Sequence, residues 1–189
     1  MATAGHARYT YAQYVALEEH SDIKHEFLDG AIYAMAGGTE EHSALAASAI
    51  VALGGALGER PCRIHTSDLR IYVEAVGLAT FPDGAVIGGP LDHHAPSPKT
   101  TALNPSVLVE VTSESSEGYD CTTKLDAYRT IPSLREFIII SHRERRITVH
   151  YRTPEGWKLR TAITGGRVAV PSLETELAVD EIYRSSAIR

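Results

Sequence analysis

Cysteine is scarce in this chain: Cys62 and Cys121 are the only two in 189 residues. A single distant pair is no disulfide framework, and neither cysteine has the CxxC spacing of a zinc ligand. A small disulfide scaffold is therefore excluded, and a reducing compartment is expected. Long hydrophobic runs are missing as well. No apolar stretch reaches the roughly 18 residues that cross a bilayer. The opening MATAGHARYTYAQYVALEEH has no apolar signal-peptide core. The expectation is a cytoplasmic protein with no membrane contact. Positive charge is not in excess: 18 Lys and Arg face 24 Asp and Glu, a formal net charge of −6. That counts against a bulk field that grips nucleic acid strongly, so contact with DNA is expected to be weak or local. No Walker A, GxGxxG or GxSxG pattern occurs in its required context, which argues against nucleotide-fold and acyl-transfer enzymes. No internal repeat or low-complexity tract is present.

What is present reads as one domain over residues 1–189. Hydrophobic content is 43% and charged content 22%, ordinary for a globular protein. A chain of this length buries roughly 70% of its unfolded surface without needing disulfides or structural metal. Thr10 and Gln13 have the form of a capping box ahead of a short helix. Asp29-Gly30 between two short apolar runs signals a hairpin. Helical periodicity runs from about Glu40 to Glu59 and stops at Pro61. CRIHTSDLRIYVEA alternates Leu69, Ile71 and Val73 against Arg70 and Tyr72, and LATFPDGAVIGG reads as one further strand bent at Pro82. Gly88–Asn104, with Pro90, Pro96 and Pro98 inside it, reads as a long loop. PSVLVEVTS and REFIIIS read as buried strands, with a helix over EGYDCTTKLDAYRTI between them. RRITVHYR, GWKLRTAIT and RVAVPS read as an antiparallel meander, and VDEIYRS as a closing helix. The alternation predicts an α/β fold, a mixed β-sheet flanked by helices.

Three carboxylates stand where strands would hold them: Glu26 in the hairpin, Asp83 after Pro82, and Glu110 inside the apolar run 107–111. A carboxylate in such a run is costly to bury unless it is paired or binds a cation. Oxygen donors of this kind suit Mg²⁺, with Mn²⁺ as an alternative, whereas zinc would want nitrogen and sulfur. Asp120, Lys124 and Tyr128 recur every four residues and share one helical face. If that face packs beside Glu110, the Lys124 ammonium can orient a nucleophile and offset charge on phosphorus.

HEFLDG, TSDLRIYV, FPDGAVI, NPSVLVEVTSES, YDCTTKLDAYR and REFIII, in this order, resemble the bacterial Uma-two family of restriction-endonuclease-like proteins. That family is in turn similar to the PD-(D/E)XK nuclease superfamily. The resemblance covers roughly Tyr9 to Tyr151. It implies a restriction-endonuclease-like fold and a Mg²⁺-dependent endonuclease acting on DNA. It implies metal ligation by Glu26, Asp83, Glu110 and the carbonyl of Val111, with Lys124 in the catalytic set. The superfamily lysine sits two residues after the second acid, where this chain has Thr112; Lys124 on the following helix takes its place. Position 84 is Gly where the family has an apolar residue.

Plainer readings stand beside this one. Glu26 could be a solvated hairpin charge, Asp83-Gly84 a turn, Glu110 half of a buried ion pair with Arg, and Lys124 a solvated helix residue. Asp68 and Arg70 could line a cleft or pair at a strand edge. His42 could touch a phosphate or sit half-exposed on its helix. His93 and His94 could bind metal or be solvated loop residues. Ser113, Ser115 and Ser116 could cap a helix. A catalytically inactive nucleic-acid-binding or assembly module is the rival function, and a homodimer would suit cutting of two strands.

Overall fold

The computed structural model describes residues 8–94 and 100–189. Thr10 Oγ1 accepts from Gln13 N at 3.2 Å, and Gln13 Oε1 accepts from Thr10 N at 2.8 Å. This reciprocal box starts helix α1 (Tyr11–Glu18). Strands β1 (His25–Leu28) and β2 (Ala31–Ala34) form the expected hairpin. Asp29 and Gly30 lie at φ 44° and 88°, the two left-handed residues a type I′ turn demands. Helix α2 (Glu40–Leu57) opens where Thr39 Oγ1 accepts from His42 N at 3.2 Å.

Next come β3 (Cys62–Thr66), β4 (Arg70–Val73), β5 (Leu78–Thr80), β6 (Gly84–Gly88), β7 (Thr101–Ala102) and β8 (Pro105–Val111). Helix α3 (Glu117–Tyr119) runs through a π-helical turn, Asp120–Lys124, into α4 (Leu125–Arg129). The chain then forms β9 (Glu136–Ile140), β10 (Arg146–Thr153), β11 (Gly156–Ile163), β12 (Arg167–Val170), β13 (Thr175–Ala178) and α5 (Val179–Ile182). Among the described residues the strands make three sheets, in the orders β2-β1-β5-β4-β7, β11-β10-β9-β8-β6-β3 and β12-β13. The six-stranded sheet is mixed, because β8 and β9 run parallel while its other neighbours are antiparallel.

Four expectations need correction. LATFPDGAVIGG is two strands, not one. The chain leaves the five-stranded sheet at Thr80 and joins the six-stranded sheet at Gly84, and Pro82, lacking an N–H, sits in the gap. The end of the long loop is strand: Thr101 and Ala102 pair in parallel with Arg70 and Ile71. Pro96 and Pro98 of that loop lie outside the described residues. The meander stops at β11, since β12 turns away to pair with β13, a strand not expected from the sequence. Arg70 forms no strand-edge ion pair with Asp68. It is 2% exposed, with its guanidinium over the rings of Tyr14 and Phe81.

Alternation along β8 sorts its side chains between two cores. Val107, Val109 and Val111 pack with Leu45, Ala49, Leu53 and Leu57 of α2. Leu108 faces the other way, toward Leu125 and Tyr128 of α4, Phe137 of β9, and Ile71, Val73 and Leu78 of the five-stranded sheet. Glu110 has the parity of Leu108. The same alternation that drives Leu108 into an apolar interface therefore drives a carboxylate into it. Burial of each such aliphatic side chain contributes about 1.5–3 kcal/mol, whereas an unpaired carboxylate there costs several kcal/mol.

Candidate metal centre and its lysine

Two of the carboxylates, Asp83 and Glu110, belong to neighbouring strands of the six-stranded sheet. In the antiparallel β6–β8 pair, Gly84 faces Val109 and Ala85 faces Leu108. Asp83 directly precedes Gly84, one residue outside this ladder, and Glu110 directly follows Val109 on the neighbouring strand. Asp83 Oδ2 accepts from the Val111 N–H at 2.7 Å, which ties the end of β6 to β8. Gly84 is close-packed: a Cβ there would meet Val109 Cβ and Cγ2 at 3.4 Å. Glu26 arrives from the facing sheet. Phe27 pairs with Ala79, so Glu26 lies beside Thr80, whose hydroxyl donates to Glu26 Oε1.

The π-helical turn supplies the cation. Lys124 Nζ lies 3.0 Å from Glu26 Oε1, 3.1 Å from Glu110 Oε1 and 3.3 Å from Asp120 Oδ1. Tyr128 donates its hydroxyl to Glu110 Oε1 at 2.8 Å, and the Tyr119 ring centroid is 5.6 Å from Nζ. Asp120, Lys124 and Tyr128 do share one helical face, and that face packs on Glu110. Lys124 is 5% exposed and Glu110 4%. The structure thus departs from two plainer readings: Lys124 is not solvated, and the cationic partner of Glu110 is a lysine rather than an arginine.

The charges do not balance. Burial pushes the Glu110 carboxyl up to about 8; Lys124 opposes this, while the negative charges of Asp83 and Asp120 add to it. Burial alone would favour a neutral Lys124, but Glu110, Tyr128, Glu26 and Asp120 together hold it well above its ordinary value. His42 Nε2 lies 3.2 Å from Asp83 Oδ2. That hydrogen bond raises the imidazole against its own burial, helped by the charges of Asp83 and Glu110 and by the Val111 backbone. Four carboxylates thus converge on one ammonium and one imidazole.

Among the described residues, no three His, Cys, Asp or Glu side chains form a ready-made ligand shell. The donor chemistry nevertheless fits magnesium. That ion binds through one or two carboxylates and fills its octahedron with water and substrate phosphate. Asp83 and Glu110 would offer two hard oxygen ligands and the Val111 carbonyl follows directly in the chain; burial foremost, with the charges of Asp83 and Asp120 adding to it, holds the proton on Glu110 that a cation would displace. Glu26 is held by Lys124 and Thr80 on the facing sheet.

Other candidates fall elsewhere. Asp68 pairs with Lys24 at 2.8 Å, not with Arg70. His94 pairs with Glu74 at 3.4 Å and packs on Tyr11 and Tyr72. Ser113 Oγ accepts from Ser116 N at 3.2 Å just ahead of α3. Tyr119 and Thr80 carry no signal in the sequence. A π-helical turn shifts helical register, so no i,i+4 spacing flags Tyr119, and Thr80 is visible only once β1 and β5 are paired.

A family model described as "Putative restriction endonuclease", Uma2, matches residues 11–180. Two Synechocystis proteins, slr1290 and sll1609, each described as uncharacterized, are similar to the chain. Both are 32% identical, over 178 residues (93% of this chain and 91% of the relative) and 162 residues (82% and 88%) respectively. A crystal structure from Anabaena variabilis, described as a putative nuclease belonging to DUF820, superposes with a TM-score of 0.74 at 17% identity. It covers 93% of this chain and 98% of that one. At that identity the likeness is one of fold, an α/β nuclease-like architecture.

Proposed function

The chain belongs to the Uma2 family of restriction-endonuclease-like proteins, and from that premise we propose that it is a Mg²⁺-dependent endonuclease that hydrolyses DNA phosphodiester bonds. The observation that carries this reading is the buried Lys124 ammonium 3.1 Å from Glu110, with Asp83 tied to the next residue of the same strand, Val111, at 2.7 Å. In it, Asp83, Glu110 and the Val111 carbonyl hold the metal, and Glu26 completes the acidic set through its contact with Lys124. Bound there, magnesium would supply Lewis acidity toward a phosphoryl oxygen. Glu110 and Glu26 hold Lys124 charged and aimed, and its ammonium orients the attacking water and offsets the negative charge gathering on phosphorus. Tyr128 fixes the Glu110 rotamer from behind.

With a formal charge of −6, DNA contact is local and salt-sensitive. Cutting both strands favours a symmetric homodimer, each copy serving one strand. Free thiols at Cys62 and Cys121 suit the cytoplasm. Among the described residues no helix is long and apolar enough to cross a membrane.

The test is plasmid nicking at low salt with Mg²⁺ or Mn²⁺, comparing the native chain with Glu110→Gln. The native chain nicks and the variant, similar in shape but unable to hold a metal through an anionic oxygen, does not. Equal nicking by both would remove Glu110 from the mechanism. The second reading, an inactive nucleic-acid-binding or assembly module, is favoured by Lys124 already bridging Glu26 and Glu110. It predicts neither nicking nor any stabilisation by divalent ions.

A further inference from the structure

Asp83 stands at a break between two sheets, on a residue outside either ladder. Nothing in strand geometry fixes its side chain. Two groups do so, and both meet one oxygen: the Val111 N–H donates to Oδ2 at 2.7 Å, and His42 Nε2 lies 3.2 Å from the same oxygen. Oδ1 accepts no hydrogen bond among the described residues. A carboxylate only accepts, so the His42 ring must carry its proton on Nε2.

His42 is itself held. It lies in the first turn of α2, where its own N–H is bonded to the Thr39 hydroxyl. The far side of its ring is pressed against Gly38: a Cβ at that position would lie 2.7 Å from His42 Nδ1 and 3.2 Å from Cγ. The absence of a side chain at residue 38 is therefore what lets the ring reach Asp83.

We infer that His42, seated in the space left by Gly38, is a positioning residue that clamps Asp83 Oδ2 and so leaves Oδ1 as a single-oxygen metal ligand. The inference rests on the nuclease reading for the identity of the ligand. Outer groups that orient a ligating side chain typically contribute about 10–100-fold in metal affinity.

The experiment is Mn²⁺ titration of the full chain, followed by the electron paramagnetic resonance of free Mn²⁺, for the native protein, His42→Ala, His42→Gln and Gly38→Ala. His42→Ala should bind Mn²⁺ about 10–100-fold more weakly. His42→Gln, whose amide nitrogen donates from nearly the Nε2 position, should bind close to native. Gly38→Ala leaves the histidine intact but displaces its ring, and should weaken binding in the same direction as His42→Ala. Cleavage should show the same split: a raised half-saturating Mn²⁺ concentration, with the rate recovering toward native at saturation. In the metal-free native protein, imidazole nitrogen NMR should show Nε2 protonated.

Native affinity in a folded His42→Ala, or an unprotonated Nε2, overturns the inference. Native protein that takes up no Mn²⁺ overturns it together with the nuclease reading. Native protein that takes up Mn²⁺ without cleaving overturns only the nuclease reading, and the affinity comparison still decides the role of His42.

Discussion

Replacing Lys124 by methionine removes the one ammonium that Glu26, Glu110 and Asp120 share at 3.0, 3.1 and 3.3 Å. Breaking a buried ion pair by deleting one partner costs about 3–5 kcal/mol. In a chain of this length each kcal/mol moves the melting temperature by about 2–4 °C, so Lys124→Met should melt roughly 6–20 °C below the native protein. The loss should depend on pH, with a definite sign. Glu110 is raised in the fold from 4.5 to about 8. The folded state therefore holds a proton that the unfolded state releases, and this contribution is complete below 4.5 and lost as pH rises through about 8. Deleting Lys124 takes away the influence that opposes this rise. Glu110 then stays protonated to higher pH, and Lys124→Met should be least costly near pH 6 and most costly near pH 9. Adding Glu110→Gln to Lys124→Met removes one of the stranded charges and should recover part of the loss, more at pH 9 than at pH 6. Urea and thermal melts of the four proteins at the two pH values measure the coupling. If Lys124→Met melts within a degree or two of native at both, Lys124 is not neutralising a buried acidic cluster and the electrostatic reasoning is wrong.

Other consequences can be measured independently. Because metal must displace the Glu110 proton, Mg²⁺ or Mn²⁺ binding should release protons below about pH 8 and weaken as pH falls; calorimetry in buffers of different ionisation enthalpy reads this directly, and a heat independent of buffer contradicts it. Thr80→Val leaves Glu26 without the hydroxyl that donates to it on the facing sheet. It should cost about 1–3 kcal/mol in a urea melt, and no loss would mean that water replaces Thr80.

The parts of the fold set by local chemistry were legible in the sequence. Thr10 and Gln13 announced α1, Asp29-Gly30 the β1–β2 turn, and the Val-rich run with its one carboxylate the central β8. The four-residue spacing of Asp120, Lys124 and Tyr128 foretold a shared face. What stayed hidden depends on pairing across distant chain. Nothing near Pro82 says that the strand before it and the strand after it belong to different sheets, although that break is what leaves Asp83 outside both ladders. Arg70 looked like the polar half of an edge strand because its ring partners Tyr14 and Phe81 come from elsewhere in the fold. β13, and with it the pairing of β12, escaped because TELA carries little β signal by itself. At the site, Glu110 announced itself by its cost of burial. His42 could be noticed as a helix-start histidine, but its contact with Asp83 depends on where α2 begins relative to β6.

The most direct measurement is a crystal grown from this chain and soaked in Mn²⁺, with anomalous density sought between β6 and β8. A manganese peak within ligand distance of one oxygen of Asp83 and one of Glu110, with Lys124 still beside Glu110, is the expected result. A well-ordered crystal whose only manganese lies elsewhere, with Lys124 alone bridging the acids at every metal concentration, would contradict metal-dependent catalysis at this site.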